Sequence, residues 1–492
     1  MSSSAESRPG RQLPPSPLIY EINTWPWLAA LSAEHGRTVD LAGVPDEQWD
    51  AIAGYGFDAV WLMGVWRRSP TGIAIARADA PLMESFARAL PDLTDDDVVG
   101  SPYAVHEYVV DDHLGGREGL ARAREALSSR GIALLLDFVP NHVAVDHPWT
   151  TAHPEWFVSG TDDDLAHRPE SFVPVGEAVL ANGRDPYFPA WRDVVQVNAF
   201  SPGLRAQIVE TLRSIAAHCD GVRCDMAMLV MNDVFAATWG ERVGPAPDDE
   251  FWPMMIEAVR ADHPGFCFVA EAYWSTGTAL AAQGFDHCYD KALYDTLRHD
   301  PPRLWPTLAA DSAAQSSTLR FIENHDEDRA ASAFGQRDRQ AAVATFTQPG
   351  ARLIHQGQIE GRRTRLPVQL GRFPDEPVDT DRAVFYRAFL EVLRDDTFRA
   401  GSWRLCEVRG SSDAVVAWAR TGAGRWIVAV NLGDRTASAR VLPGWDGADA
   451  PSTAEIAVCL DNPLSGETVR TASDGAVEVS LVGWGWQLYR LR

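Results

Sequence analysis

Arg223 and Asp225 lie two apart in the stretch Cys219-Asp-Gly-Val-Arg-Cys-Asp-Met-Ala-Met228. In an extended strand, residues two apart point the same way. A guanidinium that does not deprotonate keeps a neighbouring carboxylate ionised at neutral pH. An ionised carboxylate on a rigid strand end is a candidate nucleophile. The same pair also reads as a salt bridge tying a strand to a helix, so other carboxylates must decide. Glu271 follows apolar Phe268-Val-Ala and precedes Tyr273 and Trp274. Desolvation beside rings, with further carboxylates near, predicts a raised pKa and a proton donor. Asp326, in Asn324-His-Asp326, supplies a third acid. One ionised and one protonated carboxyl across a bond is the requirement of glycoside hydrolysis. His142 and His325 carry ring donors suited to sugar hydroxyls, although either alone reads as a satisfied core histidine.

These groups stand where apolar runs end. Runs at 18–23, 58–65, 132–137, 267–271, 285–289, 319–325 and 352–355, and one ending at Asp225, read as buried strands. Helical spacing separates them, as in 117–130, where Leu120, Ala123 and Leu127 share a face and Gly131 follows. Eight such strands predict an α/β fold, a (β/α)8 TIM barrel, whose strand C-termini build one rim. Asp137, Arg223, Asp225, Glu271 and Asp326 all fall at that rim. Asp137 reads as structural support, and Asn141 as a loop cap, a sugar ligand or a calcium ligand. The long stretch 141–197 after the third strand predicts an inserted subdomain. From about residue 400, short strands at 414–420, 425–431 and 477–482 predict a C-terminal antiparallel β-sandwich domain. The expected organisation is a disordered tail over 1–16, a barrel over 17–140 and 198–399, the insert over 141–197, and the sandwich over 400–492. The segment 66–116 is a second long interruption, and its Trp66-Arg-Arg-Ser-Pro-Thr-Gly72 stretch is expected to shape the rim.

A formal net charge of −24 opposes a nucleic-acid or anionic-membrane partner and suits a neutral substrate. Cys219, Cys224, Cys267 and Cys288 sit in or beside apolar runs and read as buried core residues. No CxxC or zinc spacing occurs, no apolar leader core precedes residue 16, and no run is long enough for a membrane span. A cytoplasmic location is expected. No metal site is assigned and no cofactor is required by these residues. The acidic Asp162-Asp-Asp164 stretch could supply calcium ligands, but a solvated loop is the favoured reading of it.

The whole pattern resembles the α-amylase family, glycoside hydrolase family 13, from about residue 18 to the C-terminal strands. Asp137-Phe-Val-Pro-Asn-His142, Gly221-Val-Arg-Cys-Asp-Met-Ala227, Val269-Ala-Glu271 and Phe321-Ile-Glu-Asn-His-Asp326 are similar to its four conserved regions. Val195-Gln-Val-Asn198 and Ser101-Pro-Tyr103 are similar to two further segments. The resemblance implies Asp225 as nucleophile, Glu271 as acid/base and Asp326 as transition-state stabiliser. It implies Tyr103, His142 and His325 as ligands of the sugar being cleaved, with Arg223 orienting Asp225. The implied reaction is retaining hydrolysis of α-linked oligosaccharides or glucans. Transglycosylation, phosphorolysis or isomerisation on the same site is the alternative, and a non-catalytic glycan- or protein-binding barrel the second. Met228-Leu229 stand where many family members carry Lys-His. This departure weakens a starch-chopping assignment and that calcium site, and suggests an apolar wall favouring a sugar acceptor over water.

Overall fold

The strand sequences are apolar along their whole length because both of their faces are covered, by helices outside and by packed side chains inside. In the computed structural model these strands are Leu18–Asn23 (β1), Ala59–Met63 (β2), Ala133–Phe138 (β3) and Gly221–Cys224 (β4). Cys267–Ala270 (β5), His287–Tyr289 (β6), Thr318–Arg320 (β7) and Ala351–His355 (β8) complete the set. They are all parallel and close in the order β1-β8-β7-β6-β5-β4-β3-β2. The structure describes residues 12–310, 315–410, 414–444, 455–461, 468–470 and 476–491. The expected disordered tail lies outside these up to residue 11. Ser16 is fixed, its hydroxyl accepting from Gly350 N at 3.0 Å.

The register of β3, β4 and β5 sets the height of the rim. Cys224 lies level with Phe138 on one side and Ala270 on the other. The chain continues this ladder for one step, Asp225 N donating to Phe138 O (2.8 Å) and Glu271 N to Cys224 O (3.0 Å). Asp225 and Glu271 therefore leave the barrel side by side. The seventh strand is shorter than its apolar run: the ladder stops at Arg320. Beyond it Glu323 binds Arg329 (2.7 Å) and Ala330 N (2.6 Å), which draws the backbone into a rim loop carrying His325 and Asp326.

Two excursions cover the rim. Between β2 and the next barrel helix, Trp66–Arg68 pairs with Val105–Val110, and the helices Pro70–Ala78 and Ala80–Ala89 lie between them. After β3, four antiparallel strands, His142–Ala144, Trp191–Gln196, Ala178–Gly183 and Phe172–Val175, lie in that spatial order. The Trp66–Gly72 stretch joins the two excursions. Trp66 Nε1 donates to Asp137 O (2.7 Å), and Ser69 Oγ donates to Asp146 of the second excursion (2.6 Å).

Beyond residue 400 a six-stranded and a three-stranded antiparallel sheet stack. Strand Val415–Thr421 shows why both faces of the larger sheet are apolar. Val416 and Trp418 pack with the barrel core, whereas Val415, Ala417 and Ala419 pack with the smaller sheet. Trp418 Nε1 also donates to Thr347 Oγ1 at 3.0 Å, joining sheet to barrel. Among the described residues no helix is long and apolar enough to cross a membrane.

Gly221, the first residue of β4, is squeezed between its neighbours. A Cβ there would stand 2.6 Å from Cys267 O and 2.6 Å from Leu135 Cδ2. Gly221→Ala is expected to lower stability by about 1–3 kcal/mol through overpacking, read as a fall in the denaturant midpoint with an unchanged m-value.

Candidate active site

Arg223 forms the floor of the rim. Its side chain is 1% exposed and its guanidinium lies 5.1–5.7 Å from the ring centres of Tyr103, Trp61 and Tyr289. Aromatic faces stabilise a cation that has lost its water. Two nitrogens reach the acids above: Nη1 donates to Asp225 Oδ1 at 2.7 Å, and Nη2 lies 2.7 Å from Glu271 Oε2. The sequence suggested a partner for Asp225 alone; the barrel register places Glu271 within reach as well. The Nη2 contact is an ion pair without hydrogen-bond alignment.

Glu271 also accepts from Met226 N (2.6 Å) and from Tyr273 Oη (3.0 Å). Burial pushes its carboxyl up, Arg223 opposes that, and Asp225 and Asp326 add to it; the result is about 7. Asp326 behaves oppositely. Its side chain is 45% exposed into the cavity, and His325 Nε2 stands 3.0 Å from Oδ2. Desolvation by the walls works against its ionisation, but the His325 charge outweighs it and holds the carboxyl near 2. The His325 ring remains cationic well above its ordinary range despite burial, because Asp326 and Glu21 flank it.

Tyr103, His142, Asp225, Glu271 and Asp326 line one cavity of about 280 Å³. Trp191, Met226 and Tyr273 extend its apolar wall. Burial lowers the His142 pKa, which leaves a neutral ring. Arg223 and His325 belong to the same cluster but lie behind the lining: His325 Nε2 is taken up by Asp326 and by Tyr103 Oη at 2.6 Å. Asp137 lies deeper. It accepts from Trp61 Nε1 (3.1 Å) and Gly64 N (2.8 Å) and so ties β2 to β3, as structural support would.

Two expectations change. Met228 and Leu229 do not form an acceptor wall: both are buried in the turn Ala227–Val230. The left-handed backbone of Met226 (φ 43°) reverses the chain there, and Trp252 Nε1 holds Ala227 O at 2.8 Å. Met226 is the residue that meets the cavity. Asn141, left between three roles, is a structural clasp. Its amide exchanges hydrogen bonds with Gln196, Nε2 to Oδ1 at 2.8 Å and Nδ2 to Oε1 at 3.2 Å. Asp164 is likewise engaged, by Thr161, Arg168 and Arg242. Among the described residues no three His, Cys, Asp or Glu side chains gather as metal ligands.

The sequence reading missed Glu21. A glutamate inside the apolar run Leu18-Ile-Tyr-Glu-Ile-Asn23 was the available signal, since a charge in a strand buried on both faces needs a specific partner. Its partner is His325 Nδ1.

The catalytic-domain model of the α-amylase family matches residues 31–285. The α-amylase MalA of Haloarcula japonica is 27% identical over 408 residues, which cover 78% of this chain and 54% of that protein. An α-1,4-glucan:maltose-1-phosphate maltosyltransferase of Bifidobacterium longum is 26% identical over 256 residues, 49% of this chain and 28% of that protein. The chain thus spans about half the length of the first of these relatives and less of the second. The maltogenic α-amylase AmyB of Thermotoga neapolitana shares the fold with a TM-score of 0.68 at 18% identity, covering 97% of this chain and 99% of that one. With closed barrel, rim carboxylates and matched catalytic domain together, the chain belongs to the α-amylase family.

Proposed function

We propose that this protein is a retaining glycosidase acting on α-glucosidic bonds of oligosaccharides or glucans. The observation that carries this reading is the opposed state of carboxyls in one cavity: Glu271 is poised near 7, while Asp326 is held near 2. A proton donor and fixed negative charge beside one bond are what the reaction needs. Arg223 grips inner oxygens of both Asp225 and Glu271, which suits the short separation, about 5–5.5 Å, of retaining enzymes.

In the first step an oxygen of Asp225 bonds to the anomeric carbon. The glycosidic C–O bond breaks, and its electron pair takes the Glu271 proton. Asp326 stabilises positive charge on the sugar ring. In the second step Glu271, now a base, removes a proton from water as that oxygen displaces Asp225. Tyr103, with His142, holds the sugar at the cavity wall. The net charge of −24 supports a neutral substrate and opposes a nucleic-acid partner. Five described cysteines are buried free thiols, which supports a cytoplasmic location.

Transfer to a sugar acceptor is a second reading, favoured by one feature. Next to Tyr273 stands Trp274, 38% exposed and held in a left-handed backbone (φ 53°), with its ring edge-on to Tyr187 of the insert at 4.8 Å. Trp274 lines an adjoining cavity that shares Tyr273 with the carboxylate cavity, and exposed rings there offer a platform for an acceptor sugar. If so, Trp274→Ala lowers the transfer-to-hydrolysis product ratio at high maltooligosaccharide concentration; an unchanged ratio removes this reading.

Asp225→Asn is expected to reduce kcat/KM on maltooligosaccharides by at least about a thousandfold with folding intact. Glu271→Gln should spare the first step on an α-glucosyl fluoride, whose leaving group needs no proton. A covalent glycosyl adduct on Asp225 should then accumulate, visible by intact mass.

The pH dependence follows from Glu271. The first step needs its proton, so kcat/KM should fall as pH rises through about 7. Stability has the same sign. A carboxyl raised by folding takes up a proton between its ordinary value of 4.5 and about 7, so its ionisation costs stability as pH rises through that window. Glu271→Gln has no such ionisation. Its Tm relative to the wild type should increase between about pH 5 and 8, measured by calorimetry.

A further inference from the structure

Glu21 lies in β1, on the barrel wall beneath the rim, and its side chain is wholly buried. A buried carboxylate is costly unless it is paired, and the buried acids Asp137 and Glu323 have a hydrogen bond on each oxygen. Glu21 does not. One oxygen bonds His325 Nδ1, and Oε2 has no hydrogen-bond partner. Its side-chain hydrogen bond is therefore to one ring nitrogen of a histidine whose other nitrogen faces the catalytic cluster. We infer that Glu21 is a positioning residue for the reaction: by accepting from His325 Nδ1 it keeps both ring nitrogens as donors and fixes Nε2 toward Asp326 and the Tyr103 hydroxyl. This rests on the glycosidase reading of the site.

The geometry explains why the ring charge matters. His325 Nε2 lies 3.0 Å from Asp326 Oδ2 and 2.6 Å from Tyr103 Oη. An imidazolium has a hydrogen on Nε2 for these oxygens, which leaves the Tyr103 hydroxyl proton free for a sugar oxygen. A neutral ring has one hydrogen for two nitrogens. Whichever tautomer formed, either Glu21 or Asp326 would face a lone pair. The surroundings are mixed. Glu21 from β1, Asp326 on the rim loop and Asp137 from β3 favour the cation. Arg223 from β4 acts on Glu21, Trp61 of β2 meets the His325 ring edge-on at 5.4 Å, and His355 of β8 is kept neutral by burial and by Arg329. Asp326 supports the cation at Nε2 and Glu21 is the buried acid in direct contact with Nδ1, so removing the Glu21 charge weakens the ring's hold on its second proton.

The test uses Glu21→Gln in the full chain, which keeps the shape and removes the charge. The expected loss in kcat is roughly tenfold to a hundredfold, with KM moving less than about threefold. In a ¹³Cε1-histidine-labelled protein, the His325 resonance, assigned by its absence in His325→Gln, should stay at the imidazolium position from about pH 5 to 9 in the wild type and titrate within that range in Glu21→Gln. Glu21→Asp, which retains the charge, should restore the imidazolium. In a His325→Gln background Glu21→Gln should cause no further loss of kcat, since its route to the site is gone. A His325 resonance that already titrates in the wild type overturns the inference, and that readout does not depend on the variant folding. Equal resonances in wild type and Glu21→Gln, or additive losses in the double variant, overturn it too. If the wild type turns over no α-glucoside, the glycosidase reading fails while the resonance still reports whether Glu21 holds His325 charged.

Discussion

A guanidinium removed from water is tolerated only where negative charge, hydrogen-bond acceptors and aromatic faces replace its hydration. Arg223 is such a case, and the site is arranged around it. Its rings come from β2, from β6 and from the segment before Val105–Val110, and its acids follow β4 and β5. A single buried cation thereby fixes the relative positions of side chains from five segments. It also limits repulsion between Asp225 and Glu271, which the barrel register forces side by side. Without that cation, two adjacent carboxyls would face each other with no positive charge between them.

One cation cannot set different proton affinities on its own; the surroundings of each acid do so. Glu271 is buried, shares Arg223 with Asp225, and lies near further negative charge, so its proton is retained up to about 7. Asp326 projects into the cavity and has its own cation in His325. The difference is one of partners: Glu271 shares a guanidinium with Asp225, whereas Asp326 has the His325 imidazolium, with Arg223 and Arg365 adding to it. His325 is charged because it in turn lies between two acids, Glu21 and Asp326. Alternating charges from β1 to the cavity allow several ionised groups to coexist where water is scarce.

The eight barrel strands and the rim acids were legible because both depend on local pattern. Buried parallel strands leave continuous apolar runs, and the polar residues that end them are conspicuous. What escaped depended on contacts distant in sequence. Glu21 acquires meaning from His325, 304 residues away, and Asn141 from Gln196, 55 residues away. Met228 and Leu229 were assigned to the cavity by position along the chain, but the left-handed turn at Met226 sends them into the core. The run 319–325 reads as one strand, but Glu323 prefers Arg329 and Ala330 N to a barrel ladder, so pairing stops early. Period and composition carry no record of such long-range partners.

The clasp between insert and barrel bears on the cavity as directly as the acids do. His142 and Trp191 both line the cavity, their rings 5.1 Å apart, and both stand on insert strands that must hold position against β3. Three fasteners supply this. The Asn141–Gln196 amide pair lies at the root of the insert, Ser69 and Thr71 bind Asp146 on one flank, and Arg242 binds Asp164 on the other. None requires a metal ion. A buried amide pair is neutral and directional, so it fixes strand spacing without adding charge beside the carboxylates. A cation at that root would lie on the His142 side of the cavity and favour ionisation of nearby acids. With the amide clasp at that root, Arg223 and His325 are the cations paired with the acid side chains of the cavity. The proton affinity of Glu271 is set by burial, by Arg223 and by the neighbouring Asp225 and Asp326, and the amide clasp adds no charge to that balance.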